Sequence, residues 1–291
     1  MGRARKILTL NAISARGLAR LPQSYIVGGD VIDADAILVR STNMHEMEIP
    51  ASVRAVGRAG AGTNNIPVKK LSERGVPVFN APGANANAVK ELVLAGMLMA
   101  ARNLPGALRF VAALDPASEE LEHQVEEGKK QFAGFELAGH TLGIVGLGKI
   151  GCLVADAAIK LGMNVLGHDP DITVDAAWSL PAQVKRAAGV AEVLRQAHFV
   201  TLHVPLVAAT KHLVNAENLG TMRTGAVLLN FSREGVVDDR AVLASLAQRH
   251  LGMYVSDFPN AALHGHDRVL SLPHLGASTD RKSTRLNSRH Q

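Results

Sequence analysis

The 291-residue chain has a single cysteine and no long apolar run. Cys152 alone cannot form an intrachain disulfide, so the sequence favours a reducing, cytoplasmic compartment. The longest apolar run, LVLAGMLMAA at 92–101, is ten residues, whereas crossing a bilayer takes about 20. We therefore expect no membrane segment there, but a helix buried in a core or in a subunit interface.

Signs of secretion or disorder are also missing. The N-terminal stretch MGRARKILTL has basic residues but only a short apolar run, with no small-residue cleavage site after it, so we expect no signal peptide. With 47% hydrophobic and 20% charged residues, the composition is that of a soluble globular protein with a sizeable core. The length suits roughly two domains.

The net charge of +5 comes mostly from the last eleven residues. Residues 281–291, RKSTRLNSRHQ, carry four Lys or Arg and no acid, which leaves 27 basic against 26 acidic residues in the rest of the chain. We therefore expect no dense basic face and no nucleic-acid partner. The abrupt change in composition predicts that 281–291 is a non-native or disordered tail, on a chain that stops early.

Strand-like and helix-like stretches alternate along the chain, as in an α/β protein with parallel sheets. Four short buried strands precede a turn-rich segment at 81–87, and a second series of six strands begins at Thr141. We expect one domain at 1–84, with 275–280 returning toward it, and a second domain at 85–274.

Polar side chains follow four of the six strands in the second series: Asp169, His203, Asn230 with Ser232, and Asp257. In open parallel sheets, ligands bind beyond the carboxyl ends of the strands, so we expect these side chains to line one crevice.

The sequence Gly146-Leu147-Gly148-Lys149-Ile150-Gly151 follows a predicted strand and opens a predicted helix. In a dinucleotide site, the three glycines allow the tight turn, the approach of the pyrophosphate and the close packing of the helix. Asp169 ends the next strand, 18 residues after Gly151, where an acid binds the ribose hydroxyls. No arginine is adjacent to Asp169, which favours NAD over NADP. Lys149 either touches a phosphate or is solvated, and we expect Cys152 to be a packing residue.

Five motifs together point to a known family: GLGKIG, LHVPL (202–206), NFSREGVVDD (230–239), YVSDFPN (254–260) and LPHLGAST (272–279). In their order and spacing, the chain resembles the D-2-hydroxyacid dehydrogenases, most closely their D-3-phosphoglycerate dehydrogenase branch. This resemblance implies a Rossmann-type doubly wound parallel sheet plus a smaller flavodoxin-like α/β substrate domain. It also implies a homodimer formed through the helix at 87–103.

The implied reaction is the NAD-dependent oxidation of 3-phospho-D-glycerate to 3-phosphohydroxypyruvate, the first step of serine biosynthesis. Such a reaction needs a cation for the substrate carboxylate and a general acid/base for the hydroxyl proton. By resemblance these are Arg233 and His274, and Asp257 faces the nicotinamide carboxamide. Taken singly, each has a structural alternative as a surface ion-pair residue, a core histidine or a strand-end cap. Further cofactor contacts are implied at Val204, Ser232 and Gly276.

The resemblance also places substrate-binding residues in the first domain. Arg40 and Arg58 match arginines that hold the substrate phosphate, and Gly60 and Ala61 lie in a glycine-rich stretch whose backbone amides suit an anion. Either arginine could instead be a surface charge at a strand end. No metal is expected.

One departure from the family concerns the partner of His274. The family places a glutamate five residues after the aspartate, but this chain has Ala261 and Ala262 there. Without that carboxylate the imidazolium is less favoured, so we expect a slower enzyme with a shifted pH profile. The alternatives are a glyoxylate or hydroxypyruvate reductase, and a catalytically weak NAD-responsive binding protein.

Overall fold

The computed structural model describes residues 3–11, 13–60, 62–81 and 83–279. Ala61 and the expected tail at 281–291 lie outside these residues. The chain divides into two compact units: one contains the described residues up to Asn87 together with residues 277–279, and the other is Ala88–Gly276.

The first unit contains a five-stranded, fully parallel sheet with the order β2-β1-β3-β4-β5. This order is that of flavodoxin-like folds. Its strands are β1 (Lys6–Leu10), β2 (Ile26–Gly28), β3 (Ala36–Val39), β4 (Ala55–Arg58) and β5 (Val78–Asn80), and its helices are α1 (Ala15–Leu18) and α2 (Val68–Glu73). Ile37, Val56 and Leu71 are among the side chains of its core.

The second unit contains a seven-stranded parallel sheet with the order β12-β11-β10-β9-β6-β7-β8. Its strands are β6 (Thr141–Val145), β7 (Asn164–His168), β8 (Lys185–Arg186), β9 (Phe199–Leu202), β10 (Val227–Asn230), β11 (Met253–Ser256) and β12 (Val269–Ser271). The strand order reverses between β6 and β9, as in a Rossmann sheet, and this switch point is where dinucleotides bind.

Helices pack on both faces of this sheet, and each face has its own apolar cluster. The helices of this part of the chain are α3 (Ala86–Ala101), α4 (Leu104–Ala112), α5 (Leu121–Gly128), α6 (Lys149–Lys160), α7 (Val174–Ser179), α8 (Val190–Gln196), α9 (Ala216–Leu219) and α10 (Asp239–Ala247). The expected α/β architecture, with a doubly wound parallel sheet and a smaller flavodoxin-like sheet, is confirmed.

Four short elements depart from the sequence expectation: β2, β8, α7 and α9. The strand β8 is only Lys185–Arg186, two exposed charged residues at the sheet edge, so it has no hydrophobic period to detect. The sequence at 105–130 is typical of one polar helical stretch, but the structure has two separate helices there, α4 and α5.

The apolar helix α3 contributes Val93 and Met97 to the core, while Leu98 is 41% exposed. Among the described residues, no helix combines the length and the apolar character that a bilayer crossing requires.

Candidate active site

Two glycines of the loop between β6 and α6 are required by the protein's own packing. Gly146 has φ +95°, and a Cβ there would lie 2.6 Å from the carbonyl oxygen of His203. A Cβ on Gly151 would lie 2.1 Å from the carbonyl oxygen of Gly146. Both distances are far below van der Waals contact, so these positions exclude any side chain.

Gly148 is different, because a Cβ there would meet no atom of the described structure within 4 Å. It is exposed and directly precedes α6, whose first backbone N–H groups no side chain at Gly148 caps. Open space above a helix N-terminus suits the phosphates of a dinucleotide. The loop therefore fits NAD.

Asp169, which follows β7, is hydrogen-bonded to the glycine loop between β6 and α6. Its Oδ2 accepts a hydrogen bond of 2.8 Å from the backbone N–H of Leu147, and its Oδ1 accepts one of 2.9 Å from that of Asp171. The carboxylate therefore lies beside the glycine loop, where an acid can also accept from a ribose hydroxyl.

The other residues in or near the glycine motif differ in how far they are buried. Lys149 is exposed at the start of α6, and Ile150 packs partly buried against the core. Val204 lies beside Gly146, because a Cβ added to that glycine would be 3.1 Å from Val204 Cγ1. The Cys152 thiol donates to the carbonyl oxygen of Leu147 at 3.2 Å, and burial, followed by the charge of Asp169, raises its pKa. Cys152 is thus a buried packing residue.

A cavity of about 480 Å³ lies within the second unit. It is lined by Leu206, Arg233, Glu234, Gly235, Phe258 and His274. The two residues predicted to be catalytic, Arg233 and His274, therefore share one cavity.

Arg233 is held by the loop after β10. Its Nη1 donates to the carbonyl oxygen of Ser232 at 2.6 Å, and its own carbonyl oxygen accepts from Asn230 Nδ2 at 3.0 Å. Burial lowers the pKa of Arg233, yet a guanidinium remains charged in proteins and keeps donors for a carboxylate. The hydroxyl of Ser232 is buried and donates to Asn230 Oδ1 at 2.8 Å, so this side chain helps to shape the loop.

His274 is exposed and has φ +54°, an unusual backbone conformation for a residue other than glycine. Phe258 packs against its ring edge-on, with centroids 5.2 Å apart and an interplanar angle of 68°. Such outliers cluster at functional sites, where surrounding contacts maintain them.

Asp257 is 2% exposed and supports the segment that carries His274. Its Oδ1 accepts from the backbone N–H of Leu275 and its Oδ2 from that of Gly276, both at 2.7 Å. Gly276 is buried, and a Cβ there would lie 3.0 Å from Asp257 Oδ2. The structure thus places Asp257 as the acceptor that holds this backbone turn.

Ala261 and Ala262 are both exposed. Their loop is tied down by Asn260, whose Oδ1 accepts from the N–H of Ala262 at 3.0 Å and whose Nδ2 donates to Asp239 Oδ2 at 2.6 Å. Burial, together with the smaller charge effects of Glu234 and Asp238, raises the pKa of Asp239, while the Asn260 hydrogen bond opposes the rise.

In the first unit, Arg40 and Arg58 follow or end the neighbouring strands β3 and β4, where Val39 pairs with Arg58. The guanidinium of Arg58 folds over Gly60, since a Cβ on that glycine would lie 1.9 Å from Arg58 Nη1. The expected contact at Ala61 lies outside the described residues.

Sequence reasoning missed four of the six cavity residues: Leu206, Glu234, Gly235 and Phe258. A signal existed for two of them, because Glu234 follows Arg233 and Phe258 follows Asp257 in the chain. In the described part of the chain, His, Cys, Asp and Glu residues form no group of three that could hold a metal ion.

Comparison with solved structures supports the fold. The chain superimposes on the holo form of Rhodotorula graminis D-mandelate dehydrogenase with a TM-score of 0.82 at 22% identity, covering 97% of this chain and 91% of that one. It superimposes on an NAD⁺-bound 3-phosphoglycerate dehydrogenase from Entamoeba histolytica with a TM-score of 0.74 at 22% identity and the same coverage.

Three curated relatives are similar in sequence. The D-3-phosphoglycerate dehydrogenase of Methanocaldococcus jannaschii is 36% identical over 85% of this chain and 47% of its own length. The (S)-sulfolactate dehydrogenase of Chromohalobacter salexigens is 36% identical, covering 87% and 81%. The hydroxypyruvate reductase of Thermotoga maritima is 31% identical, covering 87% and 81%. The chain thus spans about half the length of phosphoglycerate dehydrogenases that it matches.

Residues 94–276 match the family model described as D-isomer specific 2-hydroxyacid dehydrogenase, NAD binding domain. This range contains the glycine loop, Asp169 and the whole 480 Å³ cavity with Arg233 and His274. The chain belongs to the D-isomer specific 2-hydroxyacid dehydrogenase family, with NAD as its cofactor.

Proposed function

We propose that the protein catalyses the NAD-dependent oxidation of 3-phospho-D-glycerate to 3-phosphohydroxypyruvate, as the first step of serine biosynthesis in the cytoplasm. The observation that carries the proposal is the cavity in the NAD-binding domain that Arg233 and His274 line together. Relatives named D-3-phosphoglycerate dehydrogenase support the choice of substrate.

In this proposal each residue has one task. Arg233 binds the substrate carboxylate through its planar fork of donors, and so orients the hydroxyl-bearing carbon. A ring nitrogen of His274 takes the hydroxyl proton during oxidation and returns it during reduction. NAD, when bound, accepts the hydride from that carbon. Asp257 maintains the backbone turn after His274 through its bonds to Leu275 and Gly276.

The finer assignment of substrate depends on the first unit. We propose that Arg40 and Arg58 bind the substrate phosphate, since both lie at the carboxyl ends of adjacent parallel strands. Replacing both by alanine should raise KM for 3-phospho-D-glycerate and leave activity on glyoxylate unchanged.

The second candidate is a hydroxypyruvate or glyoxylate reductase. Coverage favours it, because the chain spans 81% of the Thermotoga maritima hydroxypyruvate reductase. Such an enzyme needs no phosphate site, so loss of both arginines would affect phosphorylated and unphosphorylated substrates equally.

The missing glutamate at Ala262 supports a slower rate than a glutamate-containing enzyme would have. A protein that binds NADH but turns over no 2-hydroxy acid would instead be an NAD-responsive binding protein.

We further propose that the protein is a homodimer. Leu98 of α3 and Leu104, Leu108 and Val111 of α4 are 41–67% exposed, which is costly for apolar side chains left in water. Light scattering of the protein and of a Leu108→Glu variant tests this, with a monomeric variant expected.

The deciding experiment measures NADH formation with a panel of phosphorylated and unphosphorylated 2-hydroxy acids at several pH values. A clear preference for 3-phospho-D-glycerate supports the leading proposal. A preference for glycerate or glycolate supports the reductase.

A further inference from the structure

The side chain of His274 contacts an aromatic ring in the cavity. The rings of Phe258 and His274 lie edge to face, with centroids 5.2 Å apart and an interplanar angle of 68°, and both residues line the cavity. Aromatic pairs favour this arrangement at centroid separations of about 4.5–7 Å. Ala262, where the family resemblance places a glutamate, has no polar side-chain group that could hold the imidazole. The contact with Phe258 is therefore a restraint on the ring that needs no carboxylate.

The two rings lie on neighbouring segments, 256–258 and 272–276, that are hydrogen-bonded to each other. The carbonyl oxygen of Ser256 accepts from the N–H of Leu272 at 2.8 Å. The carboxylate of the next residue, Asp257, accepts two further bonds of 2.7 Å from backbone N–H groups of the second segment. These bonds fix the spacing between the segments, and so the distance between the two rings.

The direction of the Phe258 side chain is also fixed locally. Its backbone N–H donates to Ser256 Oγ at 3.1 Å, and Ser256 is 1% exposed. Pro259 follows, and a proline restricts the residue before it to extended backbone conformations. Phe258 is itself half-buried. Its ring therefore forms a fixed wall against which another ring can pack.

The backbone of His274 is held, but that alone does not orient its imidazole. The N–H of His274 donates to the carbonyl oxygen of Leu272 at 3.0 Å, and its φ is +54°. The torsion between Cβ and the ring is broad, because it joins an sp³ to an sp² carbon. A general acid/base must nevertheless place one ring nitrogen within hydrogen-bond distance of the substrate hydroxyl. A packing partner for the ring meets this need.

We propose that Phe258 is a positioning residue, which holds the His274 imidazole in the orientation that presents a ring nitrogen to the substrate hydroxyl. The inference rests on the proposed function of His274 as acid/base. Asp257 fixes the backbone of the turn and Phe258 fixes the ring, so two consecutive residues together place the imidazole.

The kinetic test compares Phe258→Leu, which keeps an apolar side chain but removes the ring, with Phe258→Tyr, which keeps the ring. A misplacement of about 1 Å can cost about 100-fold in rate, so we expect kcat to fall by about 10-fold in Phe258→Leu, with little change in KM or in NADH affinity. Phe258→Tyr should keep the native kcat. Phe132→Leu, which breaks a ring pair with Phe110 at 5.5 Å away from the cavity, is the matched control and should match the native protein.

Two kinetic results would overturn the inference. One is a kcat of Phe258→Leu equal to that of Phe132→Leu. The other is a raised KM with an unchanged kcat, which would make Phe258 a substrate contact instead of a positioning residue.

A second measurement does not depend on turnover. In a crystal structure of Phe258→Leu, the backbone at 274–276 should keep its conformation, while the imidazole of His274 should adopt a different or a mixed side-chain conformation. An imidazole that keeps the native conformation in Phe258→Leu overturns the inference. A displaced imidazole, in a protein whose native form oxidises no 2-hydroxy acid, supports Phe258 as the residue that positions the ring and overturns the proposed function.

Discussion

The carboxylate of Asp257 accepts a hydrogen bond of 2.7 Å from the backbone N–H of Gly276, two residues beyond His274. The other carboxylate oxygen holds the N–H of Leu275 at the same distance. Two amides that share one buried carboxylate fix the turn in which His274 keeps its left-handed conformation. The residue predicted to face the nicotinamide therefore also supports the proposed acid/base.

Replacing Asp257 by asparagine should destabilise this turn. In Asp257→Asn, the side-chain NH₂ group would face the backbone N–H of either Leu275 or Gly276. That buried backbone N–H would then have no acceptor, at a cost of about 1–3 kcal/mol. We expect a lower Tm and a lower kcat. Asp267→Asn, at an exposed position, is the control. A Tm and kcat equal to those of the control would contradict the assigned role.

The glycine loop allows stability and cofactor binding to be separated. Gly151→Ala should lower Tm, because its Cβ would lie 2.1 Å from a backbone oxygen that cannot move aside. Gly148→Ala should keep Tm, because its Cβ meets no protein atom within 4 Å, but should weaken NADH binding. Thermal unfolding and NADH fluorescence titration measure the two effects. Native NADH affinity in Gly148→Ala would show that the dinucleotide lies elsewhere.

His203 should make the folded protein sensitive to acid. Burial lowers the pKa of His203 to about 3, and its Nδ1 is buried without a hydrogen-bond partner while Nε2 lies 3.0 Å from Thr201 Oγ1. Below the ordinary pKa of 6.5 the unfolded chain gains a proton that the folded chain does not. His203 therefore does not affect stability above pH 6.5, and it lowers stability progressively as the pH falls from 6.5 toward 3.

The size of this effect follows from one proton. Between pH 7.5 and 5.5, the free energy of unfolding should fall by about 1.4 kcal/mol more in the native protein than in His203→Gln. Urea unfolding at the two pH values measures the difference, with exposed His264→Gln as the control. Equal pH dependence in native protein and His203→Gln would mean that His203 is protonated in the fold.

Arg233 should not tolerate lysine. Lysine keeps the charge but loses the planar fork that binds a carboxylate at two points. We expect kcat/KM to fall by about 10² to 10³, the range for losing one charge-stabilising group. Arg195→Lys, at an exposed position on α8, should keep full activity. A similar kcat/KM in both variants would remove Arg233 from the site.

Ala262→Glu should supply the carboxylate that the family resemblance places beside His274. An added negative charge near the imidazole favours its protonated form, so the pH of half-maximal oxidation should rise. Rate–pH profiles of the native and variant proteins measure this. An unchanged rate and profile would count against the significance of Ala262.

The order of the elements could be predicted because buried parallel strands such as β9 and β10 are mostly apolar, whereas the helices between strands are more polar. The glycine loop and Asp169 could be predicted because their spacing is local. The clamp between Asp257 and Gly276 could not, because it joins residues 19 positions apart through backbone groups that carry no sequence signal. Glu234 was overlooked for a related reason: only the folded turn shows that its position lines the cavity of His274.

The hydrogen bond from Leu147 to Asp169 bears on how such a protein could evolve. A change of cofactor preference toward a phosphorylated ribose would first remove this acid, and the same substitution would release the loop. One substitution at Asp169 would therefore change both the cofactor preference and the stability of the glycine loop. A lineage switching cofactor would need a compensating acceptor for the Leu147 amide before, or together with, any loss of Asp169.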